Sequence, residues 1–243
     1  MASRPAGVLR LGRRSFGASQ LLVMAVVAAE DPADALERVH AAVAEGADIV
    51  GVAGRAGGEV DEREEIRRSV PFIATVRDIY PELVVGMSTG RREVAREACA
   101  AGADLLSWAA PGPRVPKSPR TPRTPRSLWD LGLAEVAADC GAGVVCPPGL
   151  AARAVAAGVA PERVVVGMEG AIGLAGLVAA GWPVLVSLPE GDLAAGLATA
   201  AAAAWLGARV FRVHQVRPAR RVLSMVSAIR GDIPPAYAVR GLA

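Results

Sequence analysis

Apolar and polar positions along this chain repeat as a unit. An alanine-rich stretch with helical spacing ends in Gly-Ala or a close variant, and a run of β-branched residues follows at once. "AAVAEGADIVGVAG" (41–54), "EACAAGADLLSWAA" (97–110), "VAADCGAGVVCPP" (136–148) and "AAAAWLGARVFRVHQV" (201–216) are copies of it. "VAAGVAPERVVVGMEG" (155–170) and "LVAAGWPVLVSL" (177–188) vary the theme. The glycine suits a left-handed helix cap. The strand runs are apolar on both faces, as the strands of a parallel sheet are. With "LLVMAVVA" (21–28) and "LVVGMST" (83–89) added, the pattern predicts eight strands. They fall near 21–28, 47–53, 83–88, 103–108, 143–146, 163–167, 184–188 and 209–214, each followed by a helix or a plausible one. Eight β-α units in about 220 residues fit a TIM (β/α)8 barrel. A doubly wound open sheet shares the alternation and is the alternative. "GVLRLGRRSF" (7–16) precedes the first strand and is expected to form a hairpin at the barrel bottom. The expected organisation is one α/β domain over 1–243.

One segment breaks the pattern. "PGPRVPKSPRTPRTPRS" (111–127) alternates proline with Arg, Lys, Ser and Thr and contains no acid. Proline at that density excludes helix and sheet, so a mobile basic loop is expected after the fourth strand, on the face where barrels carry their chemistry. Its five cations suit RNA phosphates or an acidic partner. Ser118, Thr121 and Thr124 each precede a proline, and phosphorylation there would cancel the charge. The plainer reading, that of a solvated loop in an Ala/Arg/Pro-rich protein, makes nucleic acid an unlikely partner. A net charge of +3 does not argue for nucleic acid either.

Two segments resemble export or membrane signals. "GRRSFGASQLLVMAVVAA" (12–29) has a basic start and an apolar run, but no cleavage site ends it. The uncharged stretch 170–189 is long enough to span a bilayer, yet Gly173, Gly176, Gly181 and Pro183 break it into helix, turn and strand. Cys99, Cys140 and Cys146 are an odd set with no C-x-x-C pair, which favours a reducing compartment. The expectation is a cytoplasmic protein with no membrane partner.

The run "RVFRVHQV" (209–216) carries Arg212 and His214 on its last strand. Residues two apart on a strand face the same side. A guanidinium offers forked donors to phosphate oxygens, and an imidazole adds another. The residues alone leave a second reading open, in which Arg212 snorkels and His214 is a satisfied core histidine.

With its strands placed, the chain resembles dihydropteroate synthase, the pterin-binding TIM barrel of folate synthesis. Within that family it is most similar to the second, synthase-like paralogue of actinobacteria. The likeness rests on the opening "LRLG-R-F … VMA-V" pattern and on "GADIVGVAG" (46–54), "TGRREVAREACAAGADLL" (89–106), "GVAPERVVVG" (158–167), "GWPVLVSL" (181–188) and "GARVFRVHQV" (207–216), in that order and spacing. The resemblance implies that Arg212 and His214 match the family's Arg-x-His, which binds the pterin's diphosphate. It also implies homodimerisation through the last helices.

The rest of the family's chemistry is largely absent. Where the first strand should end in an Asn that holds metal and diphosphate, this chain has Ala28, then Ala29, Glu30, Asp31 and Pro32. The second strand's Asp and its Gly-Gly-Glu-Ser-Thr-Arg are replaced by Gly51 to Gly57. The pterin-contacting Asp of strand three is Ser88, although its partner Thr89 remains. An Asn-Asp pair after strand four has become Ser107 and Trp108. Met-His on strand five is Cys146 and Pro147, and the Asp of strand six is Gly167. Ser-Arg-Lys after strand seven is Pro189, Glu190 and Gly191, which removes the pterin-binding Lys. The Asp after the Arg-x-His is Gln215.

The implied protein is therefore an inactive synthase paralogue with no magnesium cofactor. Its expected anion site is Arg212 and His214, and its remnant pterin pocket comprises Ser88, Thr89, Ser107, Trp108 and Gly167. A phosphorylated small molecule or a pterin would be the ligand. A homodimer, or a heterodimer with a true synthase, would be the assembly. Two alternatives remain: an active transferase, either keeping residual dihydropteroate synthase activity or of divergent specificity using Arg55, Glu30, Glu169 or Glu190, and a binding module using the basic loop. Trp108, beside that loop, would stack on a base or plug the emptied pocket.

Overall fold

A computed structural model describes residues 7–53, 61–108 and 131–234. Two short strands open it, β1 (Leu9–Leu11) and β2 (Arg14–Phe16), paired antiparallel with Leu9 opposite Phe16. Eight parallel strands follow: β3 (Leu22–Ala28), β4 (Ile49–Ala53), β5 (Val84–Ser88), β6 (Leu105–Ser107), β7 (Gly143–Cys146), β8 (Val164–Glu169), β9 (Val184–Ser187) and β10 (Val210–Val213). They close into a barrel in chain order, with β10 pairing both β9 and β3. An open sheet with a reversal point in its strand order is thereby excluded, and the eight strands lie where the alternation put them. The helices are α1 (Pro32–Ala44), α2 (Glu62–Ile79), α3 (Arg92–Ala100), α4 (Leu131–Cys140), α5 (Ala151–Ala156), α6 (Leu174–Ala179), α7 (Leu193–Trp205) and α8 (Val216–Ile229). Asp31, Asp61 and Asp192 cap α1, α2 and α7 through their carboxylates.

Alternation sorts each strand into two faces. Val50, Val85, Leu106, Val144 and Val166 face outward into the layer between barrel and helices. Leu22, Met24, Ile49, Val84, Leu105, Val145, Val165, Leu185 and Val210 face inward, and with them cluster Leu9, Leu11 and Phe16 of the hairpin. The hairpin is therefore a plug in the bottom of the barrel. Gly143 shows the fit: a β-carbon there would come within 2.7 Å of Leu11.

The two signal-like segments are absorbed into the fold. Arg14–Phe16 is half of the plug, and the apolar run after it is the first barrel strand. The uncharged stretch becomes β8's exit, α6, a turn and β9. Among the described residues no helix is long and apolar enough to cross a membrane. The basic segment 111–127 and Arg55 lie outside the described residues.

Candidate functional site

The bottom of the barrel is built from charges that the repeat itself supplies. Asp48 and Asp104 occupy the same place in two "GAD" copies. Asp48 accepts the Val23 N–H at 2.9 Å and an ion pair from Arg220 of α8. Asp104 accepts the Val85 N–H at 3.0 Å and an ion pair from Arg77 of α2. Each arginine spends its remaining donors on carbonyls, Arg220 on Gly46 and Leu21, Arg77 on Pro81, Leu83 and Gly102. In a third copy, "GARV", the position belongs to Arg209. Its guanidinium is buried and donates to the carbonyls of Gly7, Phe16 and Gly17, fastening the plug to β10.

The C-terminal ends of the strands are furnished differently. The last inward positions are Ala28 on β3, Ala53 on β4, Ser88 on β5, Ser107 on β6, Glu169 on β8, Ser187 on β9 and Arg212 on β10. Ser88 and Ser107 are opposite each other in register, and their hydroxyls share a hydrogen bond of 2.6 Å. Thr89 is buried, donates its N–H to the Ser107 carbonyl at 3.0 Å, and accepts the Arg91 N–H on its hydroxyl at 3.2 Å. The Arg91 guanidinium pairs with Glu65, a buried acid on α2. Gly167 faces inward beside Val145, which fills the space a side chain would take. Trp108 packs partly buried against the layer between barrel and helices, beside Gly90.

Arg212 is half-buried, and among the described residues its Nε is enclosed with no hydrogen-bond partner. Burial pushes its pKa down, and the Glu169 carboxylate offsets part of that shift. His214 lies one residue past the end of β10 and is exposed at the rim, with Nε2 2.8 Å from Glu190 Oε1. It borders a small cavity between the ends of β9 and β10 and helices α7 and α8, which Arg212 does not line. No hydrogen bond joins the two residues among those described.

The end of β3 decides whether a family-type magnesium site fits. Ala28 and Ala29 offer methyl groups where the family has an amide, and Glu30 is exposed beyond them. Among the described residues no group of three His, Cys, Asp or Glu side chains is placed to hold a metal. Methyl groups in place of the family's amide do not fit the cation.

Glu169 is the residue that the sequence undervalued. It is one strand step beyond Gly167 on the same face, so a carboxylate returns to the mouth two residues later than the family's. Period-two alternation from Val165 singles it out from the other candidate acids, Glu30 and Glu190.

Four likenesses, to a family model and to three known proteins, complete the picture. Residues 23–146 match the family model for pterin binding enzyme. The chain is 35% identical over 302 aligned positions to inactive dihydropteroate synthase 2 of Mycobacterium tuberculosis, covering 95% of this chain and 89% of that protein. The solved structure of Mycobacterium tuberculosis Rv1207 is 38% identical, with a TM-score of 0.77 over 93% of this chain and 99% of that one. A Yersinia pestis DHPS with a pterine-sulfa conjugate shares the fold, at 21% identity and a TM-score of 0.78 over 92% and 99% of the two chains.

Proposed function

The chain belongs to the dihydropteroate synthase family of pterin-binding barrels, and from that premise we propose that it has lost the synthase reaction and kept one anion subsite, at Arg212. The observation that carries this reading is the contrast at the barrel mouth. The positions that should grip a pterin ring present Ser88, Ser107 and Gly167, whereas the arginine is retained with an unmet Nε.

A hydroxyl pair hydrogen-bonded to itself is a poor substitute for a carboxylate against a 2-amino-pyrimidinone edge. It is neutral, and one of its two O–H donors is already used. The departing diphosphate also loses the charge partners that the family's amide and lysine provide, at Ala28 and Gly191. Removing one preorganised donor from such a site costs about 10²–10³ in rate, so losing several leaves little catalysis to measure. What persists suits a phosphorylated metabolite or a pterin diphosphate. Arg212 supplies the cation, and His214 reaches the same anion once its contact with Glu190 opens. Glu169 opposes that anion, which makes binding weak. On this reading the protein works in the cytoplasm, without magnesium.

The same reading includes a homodimer through α7 and α8. These helices pack together, and Trp205, Met225 and Ile229 leave large apolar surfaces exposed on them, at 61%, 56% and 65%. Sedimentation should give a dimer that Trp205→Glu weakens. A native monomer that assembles only with an active synthase would support the heterodimer instead.

Purified protein given pterin diphosphate, p-aminobenzoate and magnesium should make no pteroate above background. Turnover, or rescue of a synthase-deficient strain, would show that the substituted mouth still catalyses.

A further inference from the structure

Cys99 lies in the last turn of α3 and Cys140 ends α4. The two helices pack side by side, and the two thiols are near enough for each to feel the other's charge. Both line one open cavity of about 640 Å³ on the bottom face of the barrel, together with Arg13, Arg14 and Arg163. Cys140 is exposed and Cys99 half-buried. The third cysteine, Cys146, is buried at the opposite end of the barrel, on β7.

We propose that Cys99 and Cys140 form a dithiol site on the bottom face that reacts with low-molecular-weight disulfides and closes into a reversible intramolecular disulfide. The exposed Cys140 thiolate attacks one sulfur of the small disulfide. A mixed disulfide forms at Cys140, and the first small thiolate leaves and takes up a proton. Cys99 then gives its proton to solvent and attacks the Cys140 sulfur, expelling the second small thiolate. Two protein thiols are oxidised, and one small disulfide is reduced to two thiols.

The order of attack follows from the surroundings. Burial, and after it the neighbouring Cys140, pushes the Cys99 thiol up to about 12, so Cys99 is protonated at neutral pH and suits the resolving role. Capping Cys140 removes the neighbouring charge and eases the second step. Cys146, which burial alone pushes up to about 12, stays out of the exchange. The disulfide would tie α3 to α4 across β6 and close the chain from 99 to 140 into a loop.

The test uses the full chain carrying Cys146→Ala, because trypsin leaves Cys140 and Cys146 on one peptide. The protein is incubated with oxidised glutathione at neutral pH and its intact mass is measured. The expected product has lost two hydrogens, retains no glutathione, and yields a crosslinked peptide pair joining Cys99 to Cys140. Adding Cys99→Ser should instead trap one glutathione on Cys140. Adding Cys140→Ser should slow the reaction at least tenfold. The oxidised protein should melt a few degrees above the reduced one, as a crosslink constrains the unfolded chain. A parent protein that keeps glutathione on Cys140, that crosslinks only between molecules, or that does not react would overturn the proposal, and none of these depends on the serine variants folding.

Discussion

The two ends of this barrel are made from the same strands and differ in how their polar groups are met. At the bottom, Arg77, Arg209 and Arg220 each reach several carbonyls, and Asp48 and Asp104 each hold a strand N–H and an arginine. At the top, two serines satisfy each other and Arg212 retains an unmet donor. A buried polar group costs little when paired and a few kcal/mol when not. The bottom therefore reads as a scaffold in which arginines, carbonyls and carboxylates meet across elements, although the Arg209 Nε is itself left unmet. The top reads as a site from which partners have been removed and one cation kept.

The largest expected effect tests the bottom. Phe16→Ala removes a plug residue that is 1% exposed, and should destabilise the protein by about 3–5 kcal/mol in chemical denaturation. Arg209→Met keeps the aliphatic stem but leaves the carbonyls of Gly7, Phe16 and Gly17 unmet, and should cost about 1–3 kcal/mol. If both variants melt like the parent, the hairpin is an ornament and the contrast between the two ends disappears.

At the top the effects should be smaller and coupled. Ser107→Ala strands the Ser88 hydroxyl and should cost about 1 kcal/mol, whereas Ser88→Ala with Ser107→Ala should return close to the parent, because removing both partners leaves nothing unmet. A double-mutant cycle measures this coupling. Additive losses would mean that the pair bonds elsewhere.

The repeat made the fold legible. Each Gly-Ala followed by a β-branched run marked a barrel strand, and "LRLGRRSF" marked the plug, because burial on both strand faces leaves a long apolar signature. The observed strands are mostly a residue or two shorter than the pattern suggests, most often at the end where each leaves its Gly-Ala turn. The bottom charges were legible in principle from the "GAD" copies. Their arginine partners come from helices far away in sequence, so Arg77 and Arg220 could not be assigned. The losses at Ser88, Ser107 and Gly167 were visible only through the resemblance to a family. The outward packing of Trp108 and the pairing of Cys99 with Cys140 depend on tertiary packing that no local pattern encodes. His214 illustrates the limit of alternation: the pattern puts it on the face of Arg212, yet it lies just past the end of β10, and Glu190 from the loop between β9 and α7 engages it at 2.8 Å.

The measurement that bears most directly on the account is a diphosphate titration of the parent and of Arg212→Met, followed by calorimetry or by NMR of the His214 ring. Arg212→Met should leave stability unchanged or raise it slightly, because it removes a desolvated cation with an unmet donor. The parent should bind diphosphate with a Kd in the millimolar to micromolar range, about 4–8 kcal/mol, and the variant should not bind it. A parent that ignores diphosphate, or a variant that binds it equally well, would contradict the claim that the barrel mouth keeps an anion site.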